Sequence, residues 1–291
     1  MGGYTYVAPA TVADALTILS EHKNNGTRAQ VLAGGTDLLV QMRSGDNAGR
    51  AIVDIKNIKE SNNLVFGETE TFIGAAISSA VLNESEKLKE LFPGLLEAAD
   101  LIGSTQIQGR ATIAGNLCNA SPAGDTIPAL IANSGVCVIS GPSGERQMAV
   151  EEFVTGVGTN ALSSEEFVLG LRLPNPALRT SDAYLRFIPR TEMDIAVAGA
   201  GVSLSLSEDG TCIAARVAIG AVAPTALLVE DAAEAIVGSK LDEGALSKAS
   251  EACSGAASPI SDKRGTAEYR RKVVGVLCKR AAVIARDRAL S

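Results

Sequence analysis

Two short glycine-containing stretches hold the residue types that could bind a ligand through the backbone. The first is Ala-Gly-Gly-Thr-Asp at residues 33–37, and the second runs from Thr112 to Asp125 and is rich in small residues; we expect both to be loops. Glycine has no Cβ, so a phosphate can approach the chain closely and accept hydrogen bonds from bare N–H groups. Two such stretches in one chain suggest a ligand with two phosphates and a long body.

Polar side chains in these stretches suggest more specific contacts. Thr112 and Asn116 can both contact ligand oxygens. The carboxylate of Asp37 is poorly suited to a phosphate, so we expect it to cap the helix that follows. Asp125 has two equally open roles, because it could accept a hydrogen bond from a ribose hydroxyl or cap the helix that starts at Thr126. The glycine spacing is not Gly-x-Gly-x-x-Gly, which disfavours a nicotinamide-binding Rossmann domain.

The composition argues against several other classes of protein. The net charge is −7, and no cluster of lysine and arginine is interleaved with aromatic residues, so a nucleic-acid partner is not expected. The single histidine, His22, leaves little for the usual hydrolase triads. Five scattered cysteines predict reduced thiols and no metal or iron–sulfur site in this chain. The N-terminus has no features of a secretory signal, and no stretch is long and apolar enough to span a bilayer, so we predict a cytoplasmic location.

Apolar spacing and chain breakers predict three units that would position the two stretches. In residues 1–57, a helix begins at Thr11, and a strand at 30–33 leads through the first glycine stretch into a short helix. A second strand follows at 51–55. In residues 58–176, we predict strands at 72–76, 136–139 and 168–173, and helices at 79–91, 95–102 and 126–132. Ser78 or Ser79 would open the first of these helices, and Pro93–Gly94 would stop it. Residues 177–291 are predicted to form an antiparallel sheet, at 184–188, 196–206 and 213–222, followed by helices at 228–237, 245–253 and 266–286.

Several segments together resemble a known family, the FAD-binding medium subunits of the molybdenum hydroxylases, such as those of carbon monoxide dehydrogenase and xanthine dehydrogenase. The similarity runs nearly end to end. It is carried by Tyr-x-x-Pro at 6–9, Ala-Gly-Gly-Thr-Asp-Leu-Leu at 33–39, Val-Asp-Ile at 53–55, Ile-Gly-Ala at 73–75, Thr-Ile-Ala-Gly-Asn at 112–116, Ser-Pro-Ala-Gly-Asp at 121–125 and Glu-Tyr-Arg-Arg at 268–271.

The resemblance implies an α+β fold with a two-part FAD-binding domain of the PCMH/vanillyl-alcohol-oxidase-like type and a C-terminal domain of antiparallel sheet and helices. The implied domains are residues 1–57, 58–176 and 177–291. No catalytic or metal-binding residue is implied in this chain. The residues implied to bind FAD are Leu32, Ala33, Gly34, Gly35, Thr36, Asp37, Leu38, Ile102, Thr112, Ala114, Gly115, Asn116, Asp125, Val168, Arg186 and Ile195.

The implied function is electron transfer by a noncovalently bound FAD. Electrons would come from [2Fe–2S] clusters in a small partner subunit and pass to an external acceptor. A large partner subunit would carry the molybdenum cofactor and hydroxylate the substrate. The implied assembly is a dimer of heterotrimers. Two alternatives stay open: a self-contained flavin reductase of the same superfamily, and a nucleotide-binding assembly subunit with no redox role.

One residue departs from the family pattern. Relatives usually have glycine where this chain has Ala114. Alanine is tolerated at negative φ but would be strained at positive φ. We therefore predict a negative φ at Ala114.

Overall fold

A computed structural model of the chain describes residues 3–43 and 49–291. Each of its three larger sheets uses strands from only one of the ranges 1–57, 58–176 and 177–291. The domain boundaries themselves stay a prediction. No helix in the described ranges is long and apolar enough to cross a membrane.

The N-terminal unit is a parallel sheet with its fully buried strand in the centre. The strands lie in the order β1, β3, β2, and the unit comprises β1 (Thr5–Val7), α1 (Val12–Asn24), β2 (Arg28–Leu32), α2 (Leu38–Arg43) and β3 (Arg50–Asp54). As predicted, Thr11 caps α1, since its hydroxyl accepts a hydrogen bond from the N–H of Asp14 at 3.1 Å. Leu32 pairs with Asp54, so the first glycine stretch leaves the sheet beside the end of β3.

The middle unit is built on an antiparallel sheet in the order β4, β5, β10, β6, β7. Its strands are β4 (Leu64–Phe66), β5 (Glu70–Gly74), β6 (Val136–Gly141), β7 (Gly144–Ala149), the small hairpin of β8 (Val154–Gly156) and β9 (Thr159–Asn160), and β10 (Phe167–Pro174). Its helices are α3 (Ser79–Asn83), α4 (Glu86–Leu91), α5 (Pro93–Asp100), α6 (Thr105–Gln108), α7 (Ile113–Asn119), α8 (Thr126–Ala132) and α9 (Val150–Phe153).

One helix prediction for this unit was wrong, and a second helix begins earlier than expected. The expected helix at 79–91 is two helices, because the Ser85 side chain accepts from the N–H of Leu88 and starts a new one. Helix α4 ends at Leu91, before Pro93 and Gly94, as predicted. Pro93 also begins α5, two residues earlier than expected, since proline fits the first helical turn, where its missing N–H would have no intrahelical partner.

The C-terminal unit is an antiparallel sheet, β11 to β14 in order, followed by three helices. These elements are β11 (Thr180–Phe187), β12 (Ala198–Leu206), β13 (Cys212–Gly220), β14 (Leu227–Leu228), α10 (Glu230–Ile236), α11 (Glu243–Ala256) and α12 (Ala267–Leu290). The Glu-Tyr-Arg-Arg segment has a structural role here. Buried Arg270 donates to the carbonyl of Val197 at 3.0 Å and to the carboxylate of Asp262 at 2.7 Å.

The C-terminal sheet is covered on both faces and so joins the units. Helix α12 packs on β11 and β12, while α5 and α8 of the middle unit contact the same sheet. Gly201 allows this close approach, because a Cβ there would lie 2.8 Å from the carbonyl oxygen of Pro128 in α8. The buried carboxylate of Asp182 accepts from the N–H groups of Gly94 at 2.9 Å and Leu95 at 3.0 Å at the start of α5. Packing and hydrogen bonding thus fix the C-terminal unit against the middle one.

Candidate cofactor site

The first glycine stretch passes directly over the backbone of another loop. A Cβ on Gly34 would lie 2.0 Å from the carbonyl oxygen of Arg110, so only glycine fits there. Gly35 has a φ of +79°, which favours glycine for a different reason. The N–H groups of Gly34, Gly35 and Thr36 donate no hydrogen bond to any residue within 3–43 or 49–291. This stretch therefore presents backbone donors that a bound anion could use.

The second stretch is not the open loop that the sequence suggested. Thr112 is the N-cap of α7, and its hydroxyl accepts from the N–H of Gly115 at 2.9 Å. The small residues in this segment serve a helix start, so the prediction of a loop over 112–125 was wrong for residues 113–119. Ala114 lies in the first turn of the helix with a negative φ, as predicted, and its side chain is buried. The helical conformation accommodates alanine in place of the usual glycine without strain.

The Asn116 side chain is held in one orientation. Its carbonyl oxygen accepts from the Thr126 hydroxyl at 2.8 Å and from the Thr126 N–H at 3.4 Å. Because the oxygen is occupied, the NH₂ group of Asn116 is the part of the amide left to donate to a ligand. Asn116 lines the cavity between the two stretches.

Two adjoining cavities lie between the N-terminal sheet and α7. The first has a volume of about 350 Å³ and the second about 480 Å³. They share the residues Arg28, Gln30, Val31, Gly115 and Cys118. Together they form an elongated space within the size range of small-molecule and cofactor sites.

Most of the residues that sequence reasoning assigned to the cofactor line these cavities. The first cavity is lined by Leu32, Ala33, Gly34, Gly35, Thr36, Asp37, Leu38, Ile102, Thr112, Gly115 and Asn116. Ala114 and Val168 line the second, together with the apolar side chains of Ile55, Leu162 and Phe167. Burial raises the pKa of the Asp37 carboxyl at the wall of the first cavity.

Three of the assigned residues line neither cavity. Asp125 and Arg186 form a buried ion pair at 2.6 Å, and the Tyr184 hydroxyl donates to Asp125 at 2.9 Å. Burial raises the pKa of Asp125, and the charge of Arg186 opposes that rise. Ile195 is 53% exposed in the segment before β12. The roles of these three residues toward a cofactor stay predictions.

The capping role considered for Asp125 is wrong. Its side chain makes no hydrogen bond to the first turn of α8. Asn116 serves the N–H of Thr126 instead, and the carboxylate of Asp125 is held by Arg186 and Tyr184 of β11. Asp125 occupies the N-cap position of α8, which the local sequence predicts, but its carboxylate is bound by residues of the C-terminal sheet.

Sequence reasoning missed several lining residues. Arg28 and Gln30 alternate along β2 and both line the two cavities, while Asn119 and Gly158 line the first. Residues two apart on a strand face the same side. The assignment of Leu32 to the site could therefore have predicted that Gln30 and Arg28 also line it. Gly158 had no such local signal, because the hydrogen bond from its N–H to the carbonyl of Ala120 joins distant parts of the chain.

The residues present fit a dinucleotide with a pyrophosphate. Free backbone donors of the first stretch and the amide of Asn116 line the first cavity, and the apolar side chains of the adjoining cavity suit a flat ring. Comparison with known proteins agrees with this geometry. Residues 2–176 match the family model described as the FAD binding domain in molybdopterin dehydrogenase, and residues 183–284 match the C-terminal domain of the CO dehydrogenase flavoprotein. This chain belongs to that family of FAD-binding subunits.

Relatives within the family align over nearly their whole length. The chain is 34% identical to the carbon monoxide dehydrogenase medium chain of Afipia carboxidovorans, covering 99% of this chain and 98% of the relative. It is 29% identical to the xanthine dehydrogenase FAD-binding subunit of Escherichia coli O157:H7, covering 95% and 94%. A solved carbon monoxide dehydrogenase from Hydrogenophaga pseudoflava contains a chain that superposes with a TM-score of 0.92 at 31% identity, with 98% of each chain covered.

These comparisons confirm the family, the fold class and FAD as the cofactor expected from the sequence. The protein is a subunit of an FAD-dependent oxidoreductase. Both glycine-containing stretches lie within residues 2–176, which match the FAD-binding domain.

Proposed function

We propose that this chain is the electron-transfer subunit of a molybdenum-containing hydroxylase or dehydrogenase. Its FAD would take electrons from [2Fe–2S] clusters of a small partner subunit and pass them to an external acceptor. Substrate hydroxylation would take place at the molybdenum cofactor of a large partner subunit. The observation that supports this most directly is the combination of free backbone donors at Gly34–Thr36 with near full-length similarity to subunits of such dehydrogenases.

The residues of this chain would bind and orient the cofactor noncovalently. The N–H groups of Gly34, Gly35 and Thr36 and the amide of Asn116 are the donors available to the pyrophosphate. The apolar wall around Val168 would exclude water from a ring of the cofactor. Bound FAD supplies a carrier that exchanges electrons singly or in pairs. We assign no catalytic acid or base to this chain.

The assembly is part of the proposal. Relatives of this chain are named as medium chains or FAD-binding subunits of dehydrogenases, which supports a complex with a molybdenum subunit and an iron–sulfur subunit. We propose a dimer of such heterotrimers. Ile195 and Arg186 of the C-terminal unit would lie toward the flavin end, where electrons enter or leave.

The proposal is tested first by the visible spectrum of the purified chain, before and after adding FAD. We expect a flavin spectrum, with FAD recovered in the supernatant after denaturation. Colourless protein that also fails to bind added FAD would favour an assembly subunit with no redox role. Reduction of a small substrate with NADPH by the chain alone would favour the self-contained reductase.

The electron-transfer step needs the complex. We expect partner subunits to co-purify with a tagged chain, and the flavin absorbance of the complex to bleach when its hydroxylation substrate is added without an acceptor. The tagged chain purified alone serves as the control and should not bleach. Bleaching of the isolated chain would contradict a role that depends on the partner's clusters.

A further inference from the structure

The side chain of Lys56 is bound in a way that leaves no donor for a ligand. Its ammonium group contacts the carbonyl oxygen of Ala33 at 3.0 Å and the two carboxylate oxygens of Asp54 at 2.7 and 2.6 Å. A protonated lysine has three N–H donors, and here three acceptors surround it. Lys56 therefore bridges the end of β3 to the first glycine stretch.

Asp54 is itself held firmly. It ends the central strand β3 and is buried, and it accepts from the Tyr6 hydroxyl at 2.6 Å and from the backbone N–H of Lys56 at 3.0 Å. Burial alone would raise the pKa of Asp54, but the hydrogen bonds from Lys56 and Tyr6 outweigh burial and lower it. A charged carboxylate fixed to the central strand thus anchors the lysine.

The anchor determines which way one peptide of the glycine stretch faces. In a trans peptide the C=O and the following N–H point in opposite directions within one plane. Lys56 holds the carbonyl of Ala33, so the N–H of Gly34 must point away from Lys56. Gly34 lines the first cavity, and its N–H has no partner within the described residues 3–43 and 49–291.

We propose that Lys56 is a positioning residue that holds the Ala33–Gly34 peptide with its N–H directed at the bound pyrophosphate. This inference rests on the proposed FAD-binding function. Lys56 would act through Ala33 and not by touching the phosphates, since its donors are already used. Tyr6 and Asp54 would support it from the strand behind.

The test compares Lys56→Met with Lys59→Met in the full chain. Lys59 is an exposed lysine close by in sequence, so its substitution makes the same charge change away from the loop. Dissociation constants are measured for FAD by flavin fluorescence quenching and for ADP by calorimetry. ADP carries the pyrophosphate without the flavin, so it reports on the loop alone.

We expect Lys56→Met to raise both dissociation constants by about tenfold or more. This factor corresponds to the loss of one hydrogen bond, from the N–H of Gly34 to the charged pyrophosphate. FAD and ADP should lose affinity by the same factor, and Lys59→Met should change neither. Lys56→Arg keeps a cationic donor beside Ala33 and should recover most of the affinity for both FAD and ADP.

The outcomes separate this inference from the proposed function. Wild-type binding of FAD together with unchanged FAD and ADP binding by Lys56→Met would overturn the role of Lys56 alone. A wild-type chain that binds no FAD would overturn both. If thermal unfolding shows that Lys56→Met does not fold, Tyr6→Phe replaces it, because the Tyr6 side chain is largely exposed and its loss removes only one bond to Asp54. Tyr6→Phe should then weaken FAD and ADP binding equally, and unchanged binding would overturn the inference.

Discussion

Replacing Gly34 with alanine gives the sharpest test of the backbone cradle. The new Cβ would lie 2.0 Å from the carbonyl oxygen of Arg110 and 2.8 Å from its carbonyl carbon, whereas Cβ contacts in proteins essentially never fall below 3.0 Å. Both atoms belong to the backbone, so no side chain can swing aside. The two backbone segments must separate by about 1 Å or more to admit the methyl group.

This separation of the two segments should lower both the free energy of unfolding and the affinity for FAD. Overpacking of this kind typically destabilises a fold by about 1–3 kcal/mol. For a chain of this size each kcal/mol lowers Tm by about 2–4 °C. The N–H groups of Gly34 and Gly35 would move from the phosphate, and each hydrogen bond to a charged group contributes about 1.5–3 kcal/mol. We therefore expect the dissociation constant for FAD to rise by about tenfold to a hundredfold for each bond lost.

The matched control is Gly255→Ala. Gly255 lies in the last turns of α11, and a Cβ there meets no atom within 4 Å. Alanine should leave FAD binding unchanged and add up to about 1 kcal/mol of stability through the helix. Thermal unfolding and flavin fluorescence measure both quantities on the same samples. If Gly34→Ala binds FAD as tightly as the wild type, the close packing against Arg110 does not shape the site and the reasoning fails.

Three further predictions concern side chains around the cavities and the junction with the C-terminal sheet. Thr126→Val removes the hydroxyl that orients the Asn116 amide and should weaken FAD binding about tenfold, while Thr126→Ser should not; equal affinities would refute the orientation. Hydrogen bonds from Arg146 lower the pKa of Glu166 from 4.5 to about 2. Glu166 therefore stabilises the fold above pH 4.5, and this stabilisation is lost as the pH falls toward about 2. Acid titration of Glu166→Gln should show a weaker loss of stability in that window than the wild type shows, and identical curves would contradict the shift. Arg186→Met leaves the buried carboxylate of Asp125 without its cationic partner and should lower the free energy of unfolding by about 3–5 kcal/mol in urea titrations, against little change for Arg190→Met on the exposed loop.

Local features of the chain were predictable because they depend on near neighbours. Thr11 caps α1 as its spacing to Asp14 predicts, and the helix at 126–132 has the expected bounds. The ends of other elements differ by a few residues, as with β2, which begins at Arg28 instead of Gln30. The failure at Ser85 is also local, since serine fits a helix start as well as a break.

The candidate site was predictable where glycine spacing marks it and unpredictable where it depends on partners from elsewhere. Both glycine-containing stretches line the cavities, although the second proved to be a capped helix. The contact of Lys56 with Ala33 left no trace in the local pattern, because parallel strands bring their ends together only in the folded sheet. The same holds for Gly158 at the cavity wall.

The sequence alone determined the family and the positions of the glycine-containing stretches, because those follow from residue types at short spacing. Only the tertiary structure decided which donors face the cavity. In the folded chain, Gly34 packs against the backbone of Arg110, and Asp125 forms an ion pair with Arg186. The Thr126 hydroxyl donates to the Asn116 side chain and so orients its amide. Each of these contacts joins different segments of the chain. Their geometry is fixed by packing between sheets and helices, which local propensity does not encode.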